Sequence, residues 1–422
     1  MTPSAAAAGT LIIGASQAGL QIATSLREFG DTDPIILVGN EDVAPYQRPP
    51  LSKAYLAGKA TVESLGFRSL DWYAEKQIEL RLSTHIENIE LDAPGSGSGV
   101  AITSTGEKIP FARLALTVGG TPRQLPIAGA ELDGVCVLRD IAHADDLRTR
   151  LGAASTVVVI GGGFIGLEAA AAATAAGKDV TVVDVADRLL GRAVAPEVSA
   201  FYLAAHQRRG TKVLLSTGIE AIEGTEQNSV TGIRLADGTV LPADIVLVGI
   251  GLVAHTDLAA KLGLEIDRGI VVDTLARTSN PNIVAAGDCA TLPHPLTGEG
   301  RHRIESVQNA IAQAQIAAAT LVGRPQSPAA VPWFWSDQAD LKLQIAGLST
   351  GYDEVVVRGE PDTEQFSVLY YTAGRLIAID SINAPRDYMA VRKLLGTGGT
   401  IPAELAEDTN ISLKDLVAAP AV

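Results

Sequence analysis

Along the first two thirds of the chain, short runs of apolar residues alternate with longer helix-forming segments, and one arrangement occurs twice. In its fuller copy, Val157-Val158-Val159-Ile160 leads into Gly161-Gly162-Gly163-Phe164-Ile165-Gly166. An alanine-rich stretch then runs to Gly177, followed by Val180-Thr181-Val182-Val183-Asp184. Four consecutive β-branched residues suit a buried strand, and residues 167–176 suit a helix packed closely on a sheet. The first copy reads Thr10-Leu11-Ile12-Ile13, Gly14-Ala15-Ser16-Gln17-Ala18-Gly19, a helix over 20–29, and Ile35-Ile36-Leu37-Val38. Each is a strand-turn-helix-strand unit, which predicts an α/β protein with two Rossmann-like sheets.

The glycine spacing gives these turns a chemistry. At 161 glycine permits a tight turn, at 163 it lets a pyrophosphate approach the backbone, and at 166 it lets helix and strand pack closely. The helix N-terminus adds unpaired N–H groups for the phosphates. Asp184 closes the second strand, where a carboxylate accepts from an adenosine ribose and repels a 2′-phosphate, so NADH is preferred. Arg188 and Arg192 follow closely and could still reach the extra phosphate of NADPH. In the first copy Ser16 replaces the middle glycine, a tolerated departure because its side chain is small and its hydroxyl can donate. The acid expected after the second strand is replaced by Asn40 with Glu41 next, and either side chain suits a ribose. Two dinucleotide units in one chain suggest a hydride donor and a hydride acceptor brought together.

Between and beyond these units, the prolines of Pro45-Tyr46-Gln47-Arg48-Pro49-Pro50-Leu51-Ser52-Lys53 stiffen a loop, with Ser52 expected to cap a helix starting at Lys53. Residues 114–120 and 243–251 read as two similar strands ending in glycine. The second is expected to carry the chain back into the first domain. Residues 278–288 form a strand closed by Asp288, and 304–322 an alanine-rich helix. After a boundary near Ser327 the pattern changes to alternating stretches at 341–346, 354–358, 366–371 and 376–381, which predict an antiparallel sheet followed by helical pieces, with the last few residues frayed.

A chain of 422 residues exceeds one ordinary core. The formal net charge of -15 argues against nucleic acid as a partner. The apolar stretch 5–20 lacks a basic start and is broken by glycines, and no apolar run is long enough to span a bilayer, so a soluble cytoplasmic protein is expected. The two cysteines, Cys136 and Cys289, are far apart and form no Cys-x-x-Cys. They read as small buried hydrophobes, and the six histidines as scattered surface or core residues with no metal-ligand spacing.

The motifs Arg48-Pro49-Pro50-Leu51-Ser52-Lys53, Gly161 to Glu168, Ala286-Gly287-Asp288-Cys289, Arg303-Ile304-Glu305-Ser306 and Pro332-Trp333-Phe334-Trp335-Ser336-Asp337-Gln338 occur in this order across nearly the whole chain. In them the sequence resembles the FAD-dependent pyridine-nucleotide reductases that feed electrons to small iron-sulfur proteins. The resemblance implies a glutathione-reductase-like fold. An FAD-binding domain at 1–117 and 247–326 is interrupted by an NAD-binding domain at 118–246 and followed by a C-terminal α+β domain at 327–422. It further implies non-covalent FAD, hydride transfer from NADH, and delivery of single electrons to a 2Fe-2S ferredoxin. The terminal enzyme is expected to be a haem-thiolate monooxygenase, the alternative being a reductase for the ferredoxin of a ring-hydroxylating dioxygenase or for rubredoxin.

Carried over residue by residue, the resemblance places Gly14, Ser16, Ala18, Gly19, Asn40, Glu41, Arg48, Ile86, Arg139, Asp288 and Val307 at FAD. Gly161, Gly163, Phe164, Ile165, Gly166, Asp184 and Arg192 fall at NAD. Thr117-Val118-Gly119 departs from the usual Ala-Thr-Gly. Lys53 and Glu168 are expected to pair beside the flavin, and Trp335 to neighbour it on the side where ferredoxin docks. Because such ferredoxins are acidic, Arg301, Arg303, Arg386, Arg392 and Lys393 are expected to form a local basic patch on a monomeric reductase. Two rival classes remain: a flavin disulfide or peroxide reductase, disfavoured by the missing cysteine near Lys53, and an NADH-sensing scaffold.

Overall fold

The computed structural model describes residues 8–295, 297–326 and 331–418. The boundary placed near Ser327 and the frayed last residues fall outside them. The chain divides into two compact units, the first formed by Met1–Gln47, Leu65–Thr121 and Val253–Pro332, the second by Arg48–Ser64, Pro122–Leu252 and Trp333–Val422.

In the first unit a parallel sheet runs in the order Ile283–Ala285, Arg113–Leu116, Thr10–Ile13, Ile35–Val38, Ile78–Arg81. Thr10–Ile13 is central and wholly buried, which is why its sequence is continuously apolar after Thr10. Successive side chains leave on opposite faces. Ile12 joins Leu20, Ile22 and Leu26 of the helix Gln17–Glu28 and Ala314 of the helix Val307–Leu321. Leu11 and Ile13 join Ile89, Ile109 and Phe111 from a three-stranded antiparallel sheet. Each such buried aliphatic side chain contributes roughly 1.5–3 kcal/mol.

The second unit holds another parallel sheet, in the order Lys212–Leu214, Asp179–Val183, Thr156–Ile160, Ile245–Val248, Val135–Cys136. The strand Ile245–Val248 pairs with Thr156–Ile160 in this sheet, and the chain re-enters the first unit just beyond it, at Val253. Its four fully buried residues suit either sheet, and only the pairing decides. The alternating stretches after residue 332 form a five-stranded antiparallel sheet in the order Trp333–Gln338, Leu341–Gly347, Arg375–Ile382, Gln365–Thr372, Glu354–Glu360, covered by the helix Pro385–Gly396.

Asp380 lies in this last sheet with no solvent exposure. Tyr370 donates its hydroxyl to Asp380 Oδ2 while accepting from the Ala195 amide at 2.8 Å, and Asp380 Oδ1 has no partner. Burial pushes the Asp380 carboxyl up to about 7, with the Tyr370 hydrogen bond acting the other way. An unfolded aspartate ionises near pH ~4. As pH rises from there towards 7 the unfolded chain sheds a proton the native state keeps, so Asp380 lowers stability across that window and adds no further change above it. Asp380→Asn keeps an acceptor for Tyr370. It should raise stability at pH 8 by on the order of 2 kcal/mol, a gain that fades by pH ~4 and can be followed by urea unfolding against pH.

Candidate cofactor and electron-transfer site

The first glycine turn, in the first unit, is closed by backbone. Gly14 has φ +115°, and a Cβ there would stand 2.1 Å from the Thr117 carbonyl oxygen. A Cβ at Gly19 would stand 2.0 Å from the Gly14 oxygen. Ser16, extended at φ -136°, is the N-cap of the helix Gln17–Glu28, whose first amides have no intrahelical acceptor. The departure at Thr117 has a structural use: its hydroxyl donates to the carbonyls of Ile13 at 3.0 Å and Gly14 at 2.9 Å, fastening the turn.

Gly287, just before Asp288, approaches Ala18 so closely that a Cβ on it would sit 3.2 Å from the alanine's Cβ. Its amide donates to Gln313 of the helix that Val307 begins. Asp288 and Val307, both half-buried, thus belong to this same end of the sheet. Glu41 accepts from Tyr46 at 2.6 Å, whereas the Asn40 side chain is exposed. Ile86 is 3% exposed and its side chain is spent on the core.

The second turn, in the second unit, repeats this plan. Gly161 has φ +107°, and a Cβ on it would come within 2.5 Å of the Gly249 oxygen. One on Gly166 would come within 2.2 Å of the Gly161 oxygen. At Gly163 nothing in the protein stands closer than 4.0 Å, so its missing side chain leaves open space at the helix N-terminus. Phe164 and Ile165 open the helix Phe164–Ala175, with Phe164 against Phe334 and Ile165 51% exposed.

Asp184 accepts from the amides of Gly162 at 2.6 Å and Ala186 at 2.9 Å, which fixes its carboxylate at the rim of the turn. Arg188, considered above for a 2′-phosphate, donates instead to the carbonyls of Val194 and Gly191 and to Ser199. Arg192 is exposed and reaches the Gly251 loop.

Lys53 and Glu168 meet. The segment Pro49–Ser52 is a 3-10 helix ending at Lys53, so Ser52 does not cap a following helix as expected; consecutive prolines set the turn, and the serine hydroxyl turns inward. Lys53 Nζ lies 2.6 Å from Glu168 Oε2, to which Ser52 also donates at 2.5 Å, and Ser336 donates to Oε1 at 2.6 Å. Glu168, expected from the resemblance to pair with Lys53, is 5% exposed and does so. The segment is held by Arg48, which donates to the Arg139 carbonyl at 2.8 Å, and by Tyr55, which donates to Asp145. Charge-assisted contacts of this kind hold an ion pair in a low-dielectric interior where an unpartnered carboxylate is costly.

Sequence reading missed Ser52, Ser336, Gln338 and His206 as parts of this cluster. The only signal was period-2 alternation in Trp333–Gln338, which sends Ser336 and Gln338 to one face and Trp333 and Trp335 to the other. Trp335 stacks near Trp333, ring centroids 5.6 Å apart, and is not brought onto the face that holds Glu168. Of the basic candidates, Arg301 is paired with Glu265 and Asp267, and Arg303 with Glu305. Arg386 and Lys393 are exposed on the helix Pro385–Gly396, and Arg392 lies over the Trp333 ring at 4.8 Å.

Both cysteines are free and buried, and burial pushes the Cys136 thiol up to about 12 and that of Cys289 to about 11. Neither is a poised nucleophile. No group of ligating side chains suited to a metal occurs among the described residues, nor a helix long and apolar enough to cross a membrane.

Residues 9–314 match the family described as pyridine nucleotide-disulphide oxidoreductase, and residues 333–417 match the reductase C-terminal family. The chain is 44% identical over 408 residues to rhodocoxin reductase of Rhodococcus erythropolis, covering 97% of this chain and 94% of that one. The crystal structure of the covalent putidaredoxin reductase-putidaredoxin complex matches with a TM-score of 0.93 at 40% identity, over 97% of this chain and 98% of that one. The ferredoxin reductase for the CYP199A2 system from Rhodopseudomonas palustris matches with a TM-score of 0.92 at 40% identity, over 97% and 99%. The family uses FAD and NAD(H), and two turns that backbone crowding reserves for glycine, each opening a helix, fit two such dinucleotides. The chain belongs to the pyridine nucleotide-disulphide oxidoreductase family, and within it to the flavin-dependent ferredoxin reductases.

Proposed function

We propose that this chain takes hydride from NADH and delivers electrons one at a time to a 2Fe-2S ferredoxin that serves a haem-thiolate monooxygenase. FAD supplies the chemistry of taking up two electrons together and giving them up singly. The observation that carries the reading is the ion pair of half-buried Lys53 with buried Glu168, standing in a chain whose two cysteines are both buried. A disulfide or peroxide reductase would need an accessible thiolate. The lysine charge favours an electron-rich ring beside it, while Glu168 compensates that charge and helps seat the nicotinamide.

Gly14, Ser16, Ala18, Gly19, Asn40, Glu41, Ile86, Asp288 and Val307, with Arg48, Lys53 and Arg139, are assigned to FAD. Gly161, Gly163, Phe164, Ile165, Gly166, Asp184 and Arg192 are assigned to NAD. Asp184 at the turn, with Arg188 committed to backbone, supports NADH over NADPH. The domain limits 1–117 with 247–326, 118–246 and 327–422 belong to the same reading, as do a monomeric state and a cytoplasmic location.

The test is cytochrome c reduction by the purified protein with NADH, with and without a 2Fe-2S ferredoxin. Rapid reduction that requires the ferredoxin supports the proposal. Rapid flavin reduction with no ferredoxin dependence across several ferredoxins would overturn it in favour of rubredoxin, another acceptor, or an NADH-sensing scaffold.

Docking is assigned to the helix Pro385–Gly396. Arg386, Met389 and Lys393 recur at helical spacing on its exposed side, and Met389 is 59% exposed. A basic stripe on a protein of net charge -15 gives an acidic partner one favourable approach. The pair of changes Arg386→Glu and Lys393→Glu should lower the ferredoxin-dependent rate at low salt about tenfold and flatten its decline with ionic strength, leaving ferricyanide reduction unaltered. A ferredoxin rate that ignores both salt and these changes would place docking elsewhere.

A further inference from the structure

Behind the Lys53–Glu168 pair a hydrogen-bonded chain continues through the interior. Gln338 Nε2 approaches Ser336 Oγ at 3.2 Å, and Gln338 Oε1 lies 2.8 Å from His206 Nε2 on the helix Pro196–Arg208. Ser336, Gln338 and His206 are 0%, 1% and 4% exposed. Such a chain has one self-consistent direction of donation. An ionised carboxylate only accepts, so the Ser336 hydroxyl proton must point to Glu168 Oε1. The Ser336 oxygen then accepts from the Gln338 amide nitrogen, which turns the amide oxygen to His206 and requires the proton of a neutral imidazole to sit on Nε2. Every dipole in the series therefore points its positive end at Glu168.

We propose that Ser336, Gln338 and His206 are positioning residues for the electron-transfer site: His206, as the neutral Nε2–H tautomer, fixes the Gln338 amide, which orients Ser336 to hold the Glu168 carboxylate against Lys53. This rests on the role assigned above to the Lys53–Glu168 pair. The arrangement is costly to bury unless it does something, because an apolar strand face would pack as well without four polar groups to satisfy. Burial holds His206 below the ordinary imidazole range, with the Gln338 contact acting the other way, in keeping with a neutral ring. Of the other titratable and charged groups, Lys53 lies on Glu168, Arg209 acts on His206, and Tyr202, four residues before His206 on the same helix, senses Asp380, Asp337 and Glu168. Tyr202 has no hydrogen-bond partner for its hydroxyl and is buried, so it does not compete for the chain.

Two measurements on the FAD-loaded protein test this. Nitrogen-15 NMR of histidine-labelled protein, with the His206 signals assigned by their loss in His206→Gln, should show an Nε2–H tautomer that does not titrate between pH 5.5 and 8. An Nδ1–H tautomer, or titration near pH ~6.5, would overturn the proposal. The second is the pH profile of flavin reduction by NADH in stopped flow. Ser336→Ala should move its acid limb up by about one unit, because a hydrogen bond to a charged group is lost. Gln338→Leu should move it less and His206→Leu least, while His206→Gln, which keeps a donor, should restore the wild-type profile. An unmoved limb in Ser336→Ala, or a shift in His206→Gln equal to that in His206→Leu, would sink the relay. Should Lys53→Met prove kinetically silent, the pair's role at the flavin fails by itself, and the histidine tautomer still upholds or overturns the relay.

Discussion

Lys53→Met will slow flavin reduction by NADH about a hundredfold and leave the NADH dissociation constant within about a factor of two. Methionine keeps most of the lysine's apolar stem, so packing survives, but the positive charge beside Glu168 is lost. A hundredfold change is roughly 2.7 kcal/mol, the scale of one preorganised electrostatic contact to a reacting centre. The same change strands a carboxylate that is 5% exposed with only two hydroxyl donors, Ser52 and Ser336. Stability should therefore fall by a few kcal/mol as well. Adding Glu168→Gln removes the stranded charge and should recover the melting temperature without recovering the rate. Stopped-flow absorbance and thermal unfolding on the three proteins separate the two effects. Full-speed reduction in Lys53→Met would end the electrostatic role assigned to the pair.

Two glycines of the second turn should fail in opposite ways. Gly161→Ala forces a side chain onto φ +107° and to 2.5 Å from a backbone oxygen that cannot yield cheaply, so it should destabilise by about 3 kcal/mol or more. Gly163→Ala meets nothing of the protein nearer than 4.0 Å and should melt within a degree or two of the parent. Its methyl group projects where the second glycine of such a turn admits a pyrophosphate, so NADH binding should weaken at least tenfold. Unfolding curves and NADH titrations of both variants check this. Normal NADH affinity in a well-folded Gly163→Ala would remove the turn as the nicotinamide nucleotide's phosphate site.

Much of this was written in local sequence. Each glycine turn is a short-range instruction, since φ, crowding and helix start are set within about ten residues, and both turns were legible from spacing alone. The C-terminal sheet was legible from period-2 alternation. The placement of Ile245–Val248 was not, because an apolar strand buried on both faces carries no mark of which sheet will take it. The Thr117 departure is visible in residue order, but its use, a hydroxyl on the carbonyls of residues 13 and 14, depends on two strands lying side by side.

The interior polar cluster divides along the same line. Lys53 and Glu168 each sit in a motif, whereas His206 and Gln338, 132 positions apart, signal nothing to each other along the chain. A buried hydrogen bond depends on three-dimensional approach and on the exclusion of water, and no periodicity encodes either. Two dinucleotide turns, an alternating final sheet and the lack of a Cys-x-x-Cys pair follow from residue order alone. Which strand joins which sheet, the tie of Arg188 to backbone, and the meeting of a lysine, a glutamate, two serines, a glutamine and a histidine in one hydrogen-bonded line are set in the folded chain, by contacts between segments that the chain's order leaves far apart.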